Sequence, residues 1–162
     1  MKKAASIILV ILIFTFLLAG CTGNKPVQSV KTQTIKLYYA DSDNNKFVIE
    51  ERKITFDDKT DLYTAAVEEL LKGPSDKNLR MNIPAGTKVY GTIRQNDAII
   101  IDLGGFSGFE GDLSELFSLG SIVNTLTQFD GIDKVKILVE GEEFIGPSGE
   151  PLGFMTEYPL EP

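Results

Sequence analysis

The spacing of apolar residues changes several times along the chain, and each change marks an element. Ile35 to Tyr39 alternates apolar and polar positions and is rich in β-formers, which predicts a strand. A turn cluster follows, Asp41-Ser42-Asp43-Asn44-Asn45, and Phe47 to Ile54 resumes the strand pattern, so the pair reads as a hairpin. Next the period lengthens. Leu62, Ala66, Leu70 and Tyr63, Val67, Leu71 recur at helical spacing behind Asp57-Asp58-Lys59-Thr60-Asp61, which supplies capping side chains and acids for the positive end of the helix. Gly73-Pro74 stops that helix.

Beyond a turn at Pro84-Ala85-Gly86, Lys88–Arg94 and Ala98–Leu103 read as two strands joined by Gln95-Asn96-Asp97. The unbroken apolar run Ala98-Ile99-Ile100-Ile101 predicts a central strand covered on both faces. A loop rich in Gly and Phe, Gly104–Gly111, leads into a second helix from about Leu113 to Phe129, and Val135–Val139 is a last strand. The segment from Gly141 to Pro162 is rich in Gly and Pro, with a weak pattern. The order ββαββαβ predicts an α+β fold: one mostly antiparallel sheet with both helices packed on one face.

At the other end of the chain the pattern is of a different kind. Met1-Lys2-Lys3 is followed by an almost wholly apolar run, Ala4–Ala19, and then by Gly20-Cys21. The run is short for a membrane span, which needs roughly 20 apolar residues. A positive flank, a short apolar core and a small residue before cleavage describe a secretory signal. Leu18-Ala19-Gly20-Cys21 resembles the lipobox of bacterial lipoproteins. Residues 1–20 are therefore expected to be a signal peptide and Cys21 a lipidated N-terminus on the outer face of the cell membrane, with diacylglycerol supplying the two chains that stable anchoring needs. An uncleaved N-terminal anchor helix is the alternative, and it also leaves the rest of the chain outside the cytoplasm. Residues 21–34 lack periodicity and read as a flexible tether, and 35–162 as one domain.

Composition narrows the chemistry. The chain has 16 Lys+Arg against 23 Asp+Glu, a net charge of −7; removing residues 1–20 takes away Lys2 and Lys3 and no acid, which leaves −9. So acidic a body does not suit nucleic acid or anionic lipid. With no histidine, Ser-His-Asp and Cys-His catalysis, histidine metal sites and histidine pH switching are excluded. Cys21 is the only cysteine, so no intramolecular disulfide forms, and lipidation would remove the one thiolate. Nothing in the sequence calls for a cofactor or metal.

Three motifs are weaker than they look. Asp41-x-Asp43-x-Asn45 opens like an EF-hand loop, but Lys46 stands where glycine is needed and Arg52 where the bidentate glutamate is needed. Gly105-x-x-Gly108-x-x-Gly111 follows a strand and precedes a helix, yet no Lys or Arg occurs between Arg94 and Lys134 to hold a phosphate. It reads as a connection whose Phe106 and Phe109 fold back on the core. The carboxylates at Glu68-Glu69, Glu142-Glu143 and Glu110-Asp112-Glu115 fit solvated surface charge better than a facing catalytic pair.

The second helix is the least ordinary element. Leu116, Leu119, Ile122, Val123, Leu126 and Phe129 form an apolar face. The opposite side carries Ser118, Ser121, Asn124, Thr125 and Gln128, with Phe117 and Gly120 at its edge and no charge. Phe117, Gly120, Ser121, Asn124, Thr125 and Gln128 are thus a candidate protein-contact face; burial under the C-terminal segment or the Gly/Phe loop is the competing reading. Tyr38, Tyr39, Tyr63 and Tyr90 are candidate stacking groups for a ligand.

Several segments in order resemble the GerMN domain: Leu37-Tyr38-Tyr39-Ala40-Asp41, Leu70-Leu71-Lys72-Gly73-Pro74, Ile83-Pro84-Ala85-Gly86-Thr87, Ile100-Ile101-Asp102-Leu103, Ile122-Val123-Asn124-Thr125-Leu126-Thr127 and Val135-Lys136-Ile137-Leu138-Val139-Glu140-Gly141. The resemblance runs from about Ile35 to the end. It implies an extracytoplasmic module of bacterial lipoproteins, tied to sporulation and spore germination and similar in fold to the ring-building motifs of secretion and sporulation channels. The best-known members carry two such modules, whereas this sequence has room for one. The resemblance brings no catalytic residues. The function expected is a non-enzymatic, lipid-anchored module that binds a protein partner, a second copy of itself or cell-wall glycan. A small-molecule or glycan-binding module is the runner-up, and a carboxylate-based envelope hydrolase the third reading.

Overall fold

The computed structural model describes residues 30–146 and 149–161. The proposed signal peptide, Cys21 and the tether up to residue 29 lie outside the described residues. The elements in order are β1 (Lys31–Asp41), β2 (Phe47–Phe56), α1 (Leu62–Leu70), β3 (Leu79–Arg80), β4 (Lys88–Gln95), β5 (Ala98–Gly104), α2 (Asp112–Thr127), β6 (Lys134–Val139), β7 (Glu142–Glu143) and β8 (Phe154–Met155). Both helices and the α+β class agree with the sequence reading. Two details are corrected. Lys31–Thr34, expected in the tether, already belong to β1. The strands also form two sheets rather than one: β2-β1-β3, and β4-β5-β6-β7 with β8 paired to β6.

Local chemistry explains the elements. In the β1–β2 hairpin Asp41 Oδ1 accepts from the amide of Asn45 at 2.7 Å, so the EF-hand-like run is a capped turn. Asp61 caps α1 by accepting from the amides of Tyr63 and Thr64 at 2.9 and 3.1 Å. β5 pairs antiparallel with β4 and parallel with β6, and α2 is the crossover between the two parallel strands. β5 is central in its sheet, but the expected cover on both faces is corrected: Ile99, Ile101 and Leu103 are fully buried, whereas Ile100 and Asp102, which alternate with them, are partly exposed on the outer face.

The main core joins Ile35, Leu37 and Tyr39 of β1, the inner face of α1, β5, β6, and Ile122, Val123 and Leu126 of α2. A second cluster lies on the other side of β1, where Tyr38 and Ala40 meet Phe47 and Phe117. β1 is therefore covered on both sides near its end.

Candidate functional site

The candidate contact face on α2 is an intramolecular surface. Phe117, Gly120, Ser121, Asn124 and Thr125 are buried within the chain, and Gln128 is partly buried. The Phe117 ring meets that of Phe47 at 4.6 Å, and a Cβ on Gly120 would fall 2.3 Å from Phe47 Cζ. The two amides act in the same way. Gln128 Oε1 accepts from the amide of Lys36 at 2.7 Å, and its Nε2 donates to the Lys36 carbonyl at 2.7 Å. Asn124 Oδ1 accepts from the amide of Tyr158 at 2.8 Å, and its Nδ2 donates to the Tyr158 carbonyl at 3.0 Å. Each amide gives one residue the donor and acceptor that a neighbouring strand would supply. One ties down β1, the other the C-terminal segment. The absence of charge, read from the sequence as a partner surface, reflects burial under β1, β2 and the C-terminal segment.

The tyrosines divide as well. Tyr38 and Tyr39 are buried; the Tyr39 hydroxyl donates to the Leu70 carbonyl at 3.1 Å, and burial pushes its pKa up to about 12. Neither can stack on a ligand. Tyr63 is partly buried against Phe129, and Tyr90 is exposed on the outer face of β4. Two of the three carboxylate clusters do not form a facing pair, and in the third burial and then the Asp112 charge push the Glu115 carboxyl up. Glu68 is exposed, Glu69 pairs with Arg52 and Lys72, and Glu143 pairs with Lys136.

What the fold does assemble is a groove of about 760 Å³. One wall is the end of α1 with Leu71, Lys72 and Gly73, another is β3 and its continuation through Arg80, Met81, Asn82 and Ile83, and a third is the Pro84–Thr87 turn. Ser107, Gly108, Phe109 and Glu110 of the Gly/Phe loop close it, with Ser114 from the first turn of α2.

The walls are fixed from behind. Arg52, largely shielded from solvent, pairs with Glu50 at 2.5 Å and with Glu69 at 3.3 Å, and donates to the Gly73 carbonyl at 2.7 Å. Glu50 also accepts from the amide of Ser75 at 2.9 Å. Burial opposes the charged form of Glu50, but hydrogen bonds from Arg52, Ser75 and Asp76 outweigh it and hold the carboxyl below its ordinary value. On the opposite side Phe106 is buried and meets Phe109 at 5.0 Å and Phe144 at 5.5 Å, so the loop folds back on the core as expected. Gly86 and Gly105 both have positive φ, 90° and 69°, and a Cβ on Gly105 would lie 3.2 Å from the Gly86 carbonyl oxygen. Glycine there lets the turn and the loop meet.

Two of the six GerMN-like segments, Leu70–Pro74 and Ile83–Thr87, supply groove walls. The Germane family, described as sporulation and spore germination, matches over residues 36–144. The chain belongs to this family. No curated protein matches it. Among solved structures, this Germane chain is similar to the tandem GerMN domains of the sporulation protein GerM from Bacillus subtilis, at 21% identity and a TM-score of 0.61 over 88% of this chain and 50% of that one. It thus spans half the length of the tandem structure. It is also similar to the first GerMN domain of the same protein, at 24% identity and a TM-score of 0.55 over 80% of this chain and 96% of that one. A candidate lipoprotein from Clostridium perfringens matches at 26% identity and a TM-score of 0.52, over 75% and 87% of the two chains. These likenesses agree with the α+β fold. Sequence reading missed the groove because it treated Gly-Pro and Pro-Ala-Gly only as breaks between elements. Their presence among the family-like segments was the available signal.

Proposed function

We propose that this Germane domain is a non-enzymatic binding module, held by lipid on Cys21 at the outer face of the cell membrane and serving the sporulation or germination of its cell through the groove. The observation that carries the reading is that family-like turns, which need no particular sequence merely to reverse the chain, converge on one open cavity and are braced there by Arg52 and Glu50. Among the described residues no helix is long and apolar enough to cross a membrane. The Clostridium perfringens neighbour supports the same address.

Two variants test the parts separately. Cys21→Ser should move the full chain from the membrane fraction to the soluble one without unfolding it. Retention in the membrane would defeat lipid anchoring and favour an uncleaved helix. Ala85→Trp, at an exposed turn position, should fill the groove mouth and lower binding of the full chain to purified cell envelopes. Unchanged binding by a folded Ala85→Trp protein would show that the groove is not the binding site.

A further inference from the structure

Three features of the groove select among ligand chemistries. The first is an open sheet edge. β3 is the last strand of its sheet, paired on one side with β1 through Arg80 and Leu79. Arg80, Met81 and Asn82 line the groove, and no residue of β1 does. The Leu79 amide is already taken by the Asp76 carbonyl at 3.1 Å, so the main-chain groups offered to an extended chain are those of the strand's continuation at Met81, which lines the groove.

The second is charge. Arg80 donates to the Ser42 carbonyl at 3.3 Å and pairs with no carboxylate among the described residues. Lys72, on the same rim, already pairs with Glu69 at 2.6 Å, and Glu110 faces the groove from the opposite loop. An unpaired arginine in a body of net charge −7 offers a place for one carboxylate, whereas the surrounding field disfavours a long polyanion. The third is the surface between: buried Ile83 with Met81, Leu71 and Phe109, which accommodates apolar side chains alternating along an extended segment.

Resting on the groove as the binding site, we propose that its ligand is an extended polypeptide segment that lies along the open edge of β3 and places one acidic side chain on Arg80. Main-chain pairing supplies affinity, Arg80 sets which residue is read, and the Met81–Phe109 surface selects apolar neighbours. The segment comes from a protein partner in the envelope. A neutral glycan offers neither an extended main chain for the strand edge nor a carboxylate for Arg80.

The test selects random linear decapeptides by display against the immobilised full chain in detergent, in parallel with Arg80→Gln and Ala85→Trp. The wild type should enrich peptides with one Asp or Glu flanked by β-branched or aromatic residues. A selected peptide should lose at least tenfold in affinity when that acid becomes an amide, or when alternate backbone nitrogens are methylated. Arg80→Gln, an exposed change compatible with folding, should bind acid and amide forms alike, and Ala85→Trp should bind neither. Enrichment without an acid, or affinity indifferent to backbone methylation, overturns the proposal. An N-acetylglucosamine oligosaccharide that perturbs Met81 and Phe109 while no peptide is enriched also overturns it, and leaves the groove as the binding site. If neither probe engages the groove, both the proposal and the groove reading fail.

Discussion

Alanine at Gly120 would place a methyl group where a phenyl ring now lies. The new Cβ would stand 2.3 Å from Phe47 Cζ and 3.1–3.2 Å from both adjoining ring carbons. Carbon atoms pack at about 3.5–4.0 Å, so the ring has to retreat by more than 1 Å. It has little room. Phe47 is buried, the Phe117 ring lies 4.6 Å away, and the Phe47 amide donates to the Leu160 carbonyl at 2.7 Å. Overpacking of this kind costs about 1–3 kcal/mol. Against it stands a helix-propensity gain of about 1 kcal/mol on replacing glycine by alanine. The expected net is a loss of up to roughly 2 kcal/mol, or up to about 8 °C in melting temperature for a domain of this size. Urea unfolding and calorimetry measure it directly. Phe47→Leu in the same chain should recover part of the loss, because the smaller side chain leaves space for the methyl group. On a solvent-facing or partner-facing helix the propensity gain would stand alone. A Gly120→Ala protein more stable than the parent by the full propensity gain of about 1 kcal/mol would refute the packing argument.

Other substitutions read different parts of the account. Asn124→Ala removes both bonds to Tyr158 and should destabilise by about 2–3 kcal/mol, with earlier proteolysis in the segment 154–161 as the local readout. Thr125 carries a buried hydroxyl with no partner among the described residues, so Thr125→Val should raise stability by about 1 kcal/mol in urea unfolding. Glu50 has a lowered pKa, so its contribution is present above the ordinary glutamate range and is lost as pH falls through the folded value. Glu50→Gln should therefore be less stable than the parent at pH 7, and the two unfolding curves should converge as pH falls below the ordinary glutamate range.

Long periodic segments were legible in the sequence because burial on one side writes its period into the chain. α1 announced itself through Leu62, Ala66 and Leu70, and β5 through its apolar run. β3, β7 and β8 have two residues each, too few to carry a period, and without β3 the division into two sheets could not be seen. Tyr38 and Tyr39 mark a second limit. Alternation places one of two neighbours outside, but here β1 is covered on both sides and both are buried. The uncharged side of α2 is unusual in the sequence and fits either a partner surface or burial under the C-terminal segment; the fold buries it under that segment and the β1–β2 hairpin. A sequence shows that a surface is not solvated; it does not show whether another molecule or a distant part of the same chain covers it. The groove was illegible for a related reason. Its walls, Gly73, Arg80, Pro84 and Phe109, come from β3 and three separate connections that only the fold brings together.

The central claim is that the groove, and not the α2 face or the outer sheet face, meets the partner. A photo-reactive side chain placed at Phe109 in the groove, or in a separate chain at exposed Ile93 on β4, tests it in intact cells. A discrete adduct is expected from position 109, disappearing when Ala85→Trp is added, and none from position 93. An adduct from position 93 alone, or one from position 109 that persists with the groove filled, would contradict it.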